Sequence, residues 1–229
     1  MREQTGSWQL VSSSVSPGQS ASGAFPRAHM NGGGLWRADY GSINLRTADH
    51  VRAWRAMEVL CDGGAAPIVV PVCDKRQMPA PIVNGKPIYH YEPIPHSDGA
   101  WFSDGTGYAQ PVISAHVVSD TPLRSVSLKI RIVLGSHLRG GEMFSINHRA
   151  QGWRVYKIGT VVDNDDGTVD VKFRPELRDD VTAFTEIEFD DLRCVMTLAD
   201  PNVLKLTMKL RRFADPDASF VEYILPGQL

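Results

Sequence analysis

The clearest pattern in the chain is an alternation of apolar and polar residues in its second half. Apolar side chains occupy every second position at Val126, Leu128, Ile130, Ile132 and Leu134. A similar alternation follows later, at Leu204, Leu206, Met208 and Leu210. Successive side chains of a strand point to opposite faces of its sheet, so this spacing is typical of half-buried strands. We therefore predict strands over residues 126–134 and 203–212.

One stretch follows the helical period instead. Thr47 is a suitable N-cap because its hydroxyl can accept an amide of the first turn, where Asp49 also suits the helix dipole. The apolar face of this helix comprises Ala53, Trp54, Met57, Leu60 and Cys61, and its polar face Arg52, Arg55 and Glu58. The Asp-Gly-Gly run at 62–64 ends it. We predict a single helix that covers a sheet with its apolar face.

Shorter apolar runs and turn residues complete the pattern. Further strands are predicted around Trp8 and over 35–45, 67–72, 143–147, 153–162, 168–173, 185–189, 194–198 and 219–224, with 67–72 as a buried strand. Turns are predicted at Asn84-Gly85, in a small hairpin over 81–91, and at 163–167 and 215–217. Residues 12–34, rich in Ser, Gly and Pro, form a predicted long loop, and the sequence leaves open whether it contacts another subunit or is flexible.

These elements fall into parts of different character. Residues 1–74 and 192–229 carry the helix and the strands of one domain. Residues 75–110 form a connector rich in Pro, Gly and aromatic side chains. Residues 111–191 are short strands separated by Gly and Asp turns, which favours a small barrel because closure removes exposed sheet edges. The predicted fold class is mainly β with one α-helix, and the barrel is inserted into the first domain.

Composition and charge exclude several classes of function. The 229 residues are 42% hydrophobic and 22% charged, as is ordinary for a globular protein. A net charge of −2 gives no electrostatic basis for binding nucleic acid or an anionic membrane. No apolar run reaches the roughly 20 residues that span a bilayer, and no signal-peptide pattern opens the chain. We expect synthesis in a cytoplasm and no membrane contact.

No group of residues predicts catalysis, a metal or a cofactor. The sequence lacks a G-x-S-x-G elbow, a phosphate-binding glycine loop and an H-E-x-x-H helix, so we do not expect an enzyme. Cys61, Cys73 and Cys194 are far apart and are interpreted as buried thiols. His90 and His96 lie in a proline-rich connector, a poor frame for a metal site. The acids of residues 163–170 have the wrong register for a calcium loop.

The barrel offers an alternative function. Arg149, Trp153, Arg154 and Tyr156 could form a stacking platform for a nucleic acid. The same segment is rich in acids, whereas a groove that follows a phosphate backbone should be positive. We therefore favour a core role for these side chains, and keep a nucleic-acid or carbohydrate binding module as the alternative.

The order of elements resembles that of phage distal tail proteins. Their N-terminal belt region, in which a strand leads to one helix and another strand, is similar to GGLWRADYGSINLRTADHVRAWRAMEVLCDGGAAPIVVPVCD. A tail-protein module of the type G-(D/E)-x-F-S-I, Y-x-I, acidic Gly turn and P-x-L-R is similar to GEMFSINHRAQGWRVYKIGTVVDNDDGTVDVKFRPELRD. The closing RCVMTLAD and FVEYI resemble the return to the belt. Residues 75–110 have no counterpart.

The resemblance implies an architectural protein without cofactors. It implies a belt domain, built as a β-sandwich or split barrel with one helix, and an OB-like inserted barrel. Such proteins form a hexameric ring at the virion tail tip of a long non-contractile tail. The implied partners are further copies of the chain, the tail tube protein and the tail-tip or baseplate hub protein, with the tape-measure protein and side fibres as further candidates.

The ring also implies where subunits meet. Identical subunits in a ring use two different patches on each copy. We predict that residues 12–34 and 75–110 supply them, with Trp36, Tyr40, Trp101 and Tyr108 as anchors, because interface energy concentrates in aromatic side chains and arginine. Aromatic residues dominate cores as well, so the sequence leaves open whether Trp36 and Tyr40 are core residues.

Overall fold

A computed structural model describes most of the chain. The described residues are 5–11, 14–15, 18–19, 22–23, 25, 28–29, 32–72, 78–108, 111–208 and 214–225. The chain divides into two compact units. The first comprises Met1–Val72, Gln151–Trp153 and Arg193–Leu229, and the second comprises Cys73–Ala150 and Arg154–Leu192. None of the helices in the described ranges is long and apolar enough to cross a membrane.

The first unit is built on a five-stranded antiparallel sheet. Its strands are β1 (Thr5–Val11), β4 (Leu35–Gly41), β5 (Ile68–Pro71), β14 (Arg193–Leu198) and β15 (Ala218–Glu222), in the order β1-β4-β15-β14-β5. The short strands β2 (Ser14–Val15) and β3 (Ala28–His29) pair separately. One face carries the buried side chains of the inner strands, Trp36, Ala38, Cys194, Met196, Leu198, Ala218, Phe220 and Glu222. The C-terminal strands thus complete the sheet that contains Trp36.

The helix α1 (Ala48–Leu60) begins where the sequence predicts. Thr47 is its N-cap, and the Thr47 hydroxyl accepts the His50 amide N–H at 3.2 Å. A short 3-10 helix, Asp62–Gly64, follows. The predicted apolar face is only partly correct: Trp54 and Cys61 are buried, but Ala53 is exposed and Leu60 is 69% exposed. The helix therefore contacts the rest of the unit through a narrow stripe.

Three further predictions for this unit need correction. β5 is not fully buried, because it is an outer strand of the sheet and only Val70 is buried along it. Residues 203–208 form no strand, since the Asp200 side chain and carbonyl bind the amides of Asn202 and Val203 in a turn, while 209–212 lie outside the described residues. Residues 215–217 run beside 42–43 instead of turning, with the Ile43 amide 2.9 Å from the Pro216 carbonyl.

The second unit contains a small six-stranded barrel. Its strands are β8 (Ser114–Val117), β9 (Ser127–Leu134), β10 (Met143–His148), β11 (Gly152–Asp163), β12 (Val169–Arg174) and β13 (Glu186–Ile187), in the order β10-β11-β12-β9-β8-β13. The sheet returns on itself between Ser145 and Glu188, whose amides and carbonyls exchange hydrogen bonds of 2.8 and 2.9 Å. The predicted fold class, mainly β with one helix and a small barrel, is confirmed.

The barrel core follows from the alternation of the sequence. Leu128 and Ile130 point inward from β9, whereas Ser127 and Arg131 are exposed. Four aromatic rings fill the interior, with the centroid of Phe144 5.3 Å from Tyr156, 5.4 Å from Phe173 and 6.0 Å from Phe189. Such contacts add to the stabilisation from burying the rings.

Both predicted hairpin turns are present in the second unit. Asn84 and Gly85, at φ 52° and 74°, join β6 (Ile82–Val83) to β7 (Lys86–Pro87), as the two left-handed positions of this turn require. The Gly167 amide donates to the Asn164 carbonyl at 3.1 Å in the turn between β11 and β12. The acidic segment 163–170 is therefore a β-hairpin.

Candidate functional site

The outer strand β1 contains none of the residues that usually protect a sheet edge. Its sequence, TGSWQLV, contains no charged residue and no proline. All seven residues pair in regular register with β4, without a bulge. Natural edge strands are commonly protected by lysine, proline or bulges, because an open edge can pair with another chain. Within the part of the chain that the structure describes, β4 is the only strand that pairs with β1.

Trp8 of β1 contacts two of the predicted anchors, Tyr40 through a hydrogen bond and Trp36 through ring packing. Trp8 Nε1 donates to the Tyr40 hydroxyl at 2.9 Å, and the Tyr40 hydroxyl donates to the Pro71 carbonyl at 3.0 Å. Trp8 and Trp36 pack with their ring centroids 6.1 Å apart. β4 and β5 are not neighbours in the sheet. The hydrogen bond from the Tyr40 side chain to the Pro71 carbonyl therefore means that the sheet is curved enough to bring these two strands together.

Trp36 is a core residue. Only 1% of its surface is exposed, so it has no area to present to another subunit. Its amide N–H donates to the buried Glu222 carboxylate at 3.2 Å. Tyr40 is half-buried and its hydroxyl already has two partners within the chain. The sequence leaves open whether Trp36 is a core residue or a subunit anchor. Its burial shows that it is a core residue, so we no longer propose Trp36 as an anchor.

The two other predicted anchors lie together in residues 94–108, which we call the aromatic lobe. Trp101 is 50% and Tyr108 47% exposed. Ile94 and Tyr108 exchange two backbone hydrogen bonds that hold the ends of the lobe together. His96 joins this lobe, since its Nδ1 lies 3.1 Å from the Tyr108 hydroxyl. His90, the other histidine considered for a metal, lies outside it.

A buried polar cluster lies inside the second unit, and the sequence did not indicate it. His148 Nε2 lies 2.6 Å from the Tyr156 hydroxyl, which also accepts the Arg178 amide at 3.2 Å. Burial lowers the pKa of His148 to about 4, with a smaller contribution from the Arg154 and Arg178 charges, against the opposing effect of Asp179. His148 is therefore neutral at pH 7, and this cluster orders the barrel without carrying a charged imidazole.

The strand junction of the barrel carries a second perturbed group. The Glu188 carboxylate accepts the amides of Asp190 and Asp191 at 3.0 and 3.1 Å. Burial, and then the neighbouring Asp190, raise the pKa of Glu188 to about 7. Among the described residues, no three His, Cys, Asp or Glu side chains come together as a set of metal ligands.

The stacking platform considered for the barrel is absent from its surface. Tyr156 and Arg154 are fully buried, so they cannot stack on a ligand. The guanidinium of Arg193 lies 5.2 Å from the ring centroid of Trp153. The core role favoured from the sequence for all four side chains is confirmed for Arg154 and Tyr156, whereas Trp153 is half-buried and the interpretation is wrong for Arg149, which is exposed.

Comparison with protein-family models gives no match, and comparison with curated proteins gives none either.

Proposed function

We propose that the chain is an architectural subunit that assembles into rings through the edge of its five-stranded sheet, at the tip of a phage tail as its resemblance to distal tail proteins implies. The observation that carries this proposal is the outer strand β1, which contains no charged residue or proline and pairs with β4 alone among the described strands. The proposed partners are further copies of the chain, the tail tube protein and the tail-tip hub, with the tape-measure protein and side fibres as further candidates.

The composition of β1 supports pairing with another strand. A strand of seven residues without charge, proline or bulge offers a regular row of backbone donors and acceptors. Val11 is 49% exposed, and its β4 partner Leu35 is 38% exposed, so apolar surface lies at one end of this edge. A strand from another copy would bind those backbone groups and cover this surface.

The other outer strand of the sheet, β5, and the helix that precedes it in the sequence also carry exposed apolar side chains. Val69 of β5 is 51% exposed, and the helix that leads into β5 ends with Val59 and Leu60, at 77% and 69% exposed. Two dissimilar patches suit head-to-tail association, which closes into a ring when the rotation between copies permits it. A twofold dimer would instead pair one patch with itself.

Strand direction separates these two outcomes. Four antiparallel steps lead from β1 to β5, so the two outer strands run in the same direction. Pairing β5 of one copy with β1 of the next is therefore parallel and can be repeated. Pairing β1 with β1 about a twofold axis is antiparallel and stops at two copies.

The first experiment measures assembly of the full chain. Mass photometry and electron microscopy of the purified protein are expected to show closed rings of several copies. Monomers or twofold dimers at every concentration would refute the proposal. Tail-tip location is a separate question, answered by antibody labelling of the native particle, and labelling elsewhere on the particle would contradict it.

A pair of neighbouring substitutions tests β1 itself. Consecutive backbone N–H groups of a strand point to opposite edges, and proline has no N–H. One of the variants Gly6→Pro and Ser7→Pro therefore loses a hydrogen bond to β4. The other, which we call the outward variant, loses an N–H that points away from the sheet. The outward variant should keep the unfolding midpoint of the wild type and lose rings. Ser7→Lys, which stands opposite Asp39 in the β1–β4 register, tests the same edge with every amide retained. Rings that persist in a folded variant would exclude β1 as the contact.

A further inference from the structure

The aromatic lobe is built on a repeated turn. Ser97-Asp98-Gly99 and Ser103-Asp104-Gly105 have the same sequence six positions apart. In each turn the Asp carboxylate accepts the amide two residues later, Ala100 or Thr106, at 2.9 Å. Gly99 and Gly105, at φ 82° and 80°, each donate an amide N–H at 2.8 Å, to the carbonyls of His96 and Phe102. The two turns therefore fix both ends of the short segment that carries Trp101.

The rings of the lobe support one another. The centroids of His96, Phe102 and Tyr108 lie 4.7 to 5.1 Å apart in edge-to-face contacts. A Cβ atom on Gly107 would come within 2.6 Å of the Trp101 ring, so a glycine is required where this indole packs on the backbone. Trp101 is thus packed on one side and 50% exposed overall. Rings held in this way lose little freedom when a ligand binds.

The polar groups of the lobe limit the kind of ligand. Residues 94–108 contain two aspartates and no lysine or arginine, which disfavours phosphate groups, nucleic acid and anionic lipid. Each Asp uses one carboxylate oxygen, Oδ1, for its turn, which leaves Oδ2 able to accept hydrogen bonds. An exposed indole with a hydrogen-bond acceptor three residues away on each side in the sequence suits a ligand with an apolar face and hydroxyl groups at its rim.

We propose that the aromatic lobe is a binding site for a neutral saccharide. The C–H face of one sugar ring packs on the exposed indole of Trp101, and its hydroxyls donate to Asp98 and Asp104. The lobe and the sheet edge proposed for assembly consist of different residues, so either proposal can fail alone.

Indole NMR signals test the site. The protein contains five tryptophans, so a single indole N–H signal, assigned with Trp101→Phe, reports on the lobe. Maltohexaose, cellohexaose and chitohexaose are the probes. At least one of them should shift the Trp101 signal at millimolar concentration and leave the other indole signals unchanged. The proposal is refuted if none of the three shifts it, or if heparin binds at the lobe instead.

Single substitutions distinguish a loss of saccharide stacking from a loss of the fold. Trp101→Ala should weaken saccharide binding at least tenfold, and Asp104→Asn should weaken it severalfold. Tyr89→Ala changes an aromatic residue of the same unit that lies outside the lobe and is 42% exposed, and it should bind as the wild type does. If Trp101→Ala binds the saccharide as tightly as the wild type does, the lobe is not a saccharide site. If Trp101→Ala abolishes rings, the saccharide proposal is also refuted, and the lobe is a subunit contact instead.

Discussion

Trp54 should be the residue on which the position of helix α1 depends. It is 1% exposed, and its Nε1 donates to the Leu204 carbonyl at 2.8 Å, whereas most of the helix surface is exposed. Truncating a buried tryptophan to alanine costs about 3–5 kcal/mol. Trp54→Phe keeps most of the packing but leaves the Leu204 carbonyl without its donor, which costs about 1–3 kcal/mol. We expect Trp54→Ala to destabilise the first unit more than Trp54→Phe.

The assay is urea unfolding followed by far-UV circular dichroism, which does not depend on the tryptophan that is removed. Val59→Ala is the matched control on the same helix, because Val59 is 77% exposed and its truncation should change stability by no more than about 0.5 kcal/mol. If Trp54→Ala unfolds at the same urea concentration as the control, the helix does not depend on this contact and our account of its packing is wrong.

The remaining predictions concern the second unit. Folding lowers the pKa of His148 from 6.5 to about 4, so the unfolded chain binds the proton more tightly than the folded protein does. Above pH 6.5 this difference costs nothing. As the pH falls toward 4, the free energy of unfolding should decrease by about 3 kcal/mol. His148→Gln should flatten this part of the curve of unfolding midpoint against pH. Glu188→Gln should remove an opposite slope, since the raised pKa of Glu188 makes stability fall as the pH rises from 4.5 through about 7. Tyr156→Phe removes the hydroxyl that faces His148 and should lower the free energy of unfolding by about 1–3 kcal/mol in urea titrations. Gly140→Ala should also lower the thermal midpoint, because its Cβ would lie 2.8 Å from the Gly159 carbonyl oxygen, and an unchanged midpoint would contradict that close approach.

Local patterns were sufficient to predict most of the elements. The cap at Thr47, the hairpin at Asn84-Gly85 and the alternation through Leu128 and Ile130 each depend on a few adjacent residues. These signals arise from backbone geometry and side-chain direction, which the neighbouring sequence largely determines.

The predictions of secondary structure and burial fail where tertiary contacts determine the conformation. Residues 203–208 alternate like a strand, but the turn at Asp200 directs Leu204 to the helix, where its carbonyl accepts Trp54. Leu60 has the right spacing for the buried face of α1, yet the helix meets the unit only along a narrow stripe. Alternation and helical period describe which faces are apolar and do not indicate what covers them.

The candidate sites were predicted unevenly for the same reason. Trp101 and Tyr108 were predicted as anchors of a subunit contact, which stays a prediction. The repeated Ser-Asp-Gly turn beside them was missed at the level of sequence, although two copies of it six positions apart are a signal of a fixed lobe. The pair of His148 and Tyr156 depends on the pairing of β10 with β11, and the exposure of β1 depends on strand order. Neither can be read from local spacing.

The assignment of Gln151–Trp153 to the first unit limits how the molecule can be taken apart. Gln151 accepts the Leu225 amide at 3.1 Å, and Trp153 lies under the Arg193 guanidinium, although the same strand continues into the barrel. Excising residues 112–191 as a cassette would therefore also remove a piece of the unit that is meant to remain. A variant that expresses either unit alone would have to retain or replace residues 151–153, so the two units cannot be separated by a single excision.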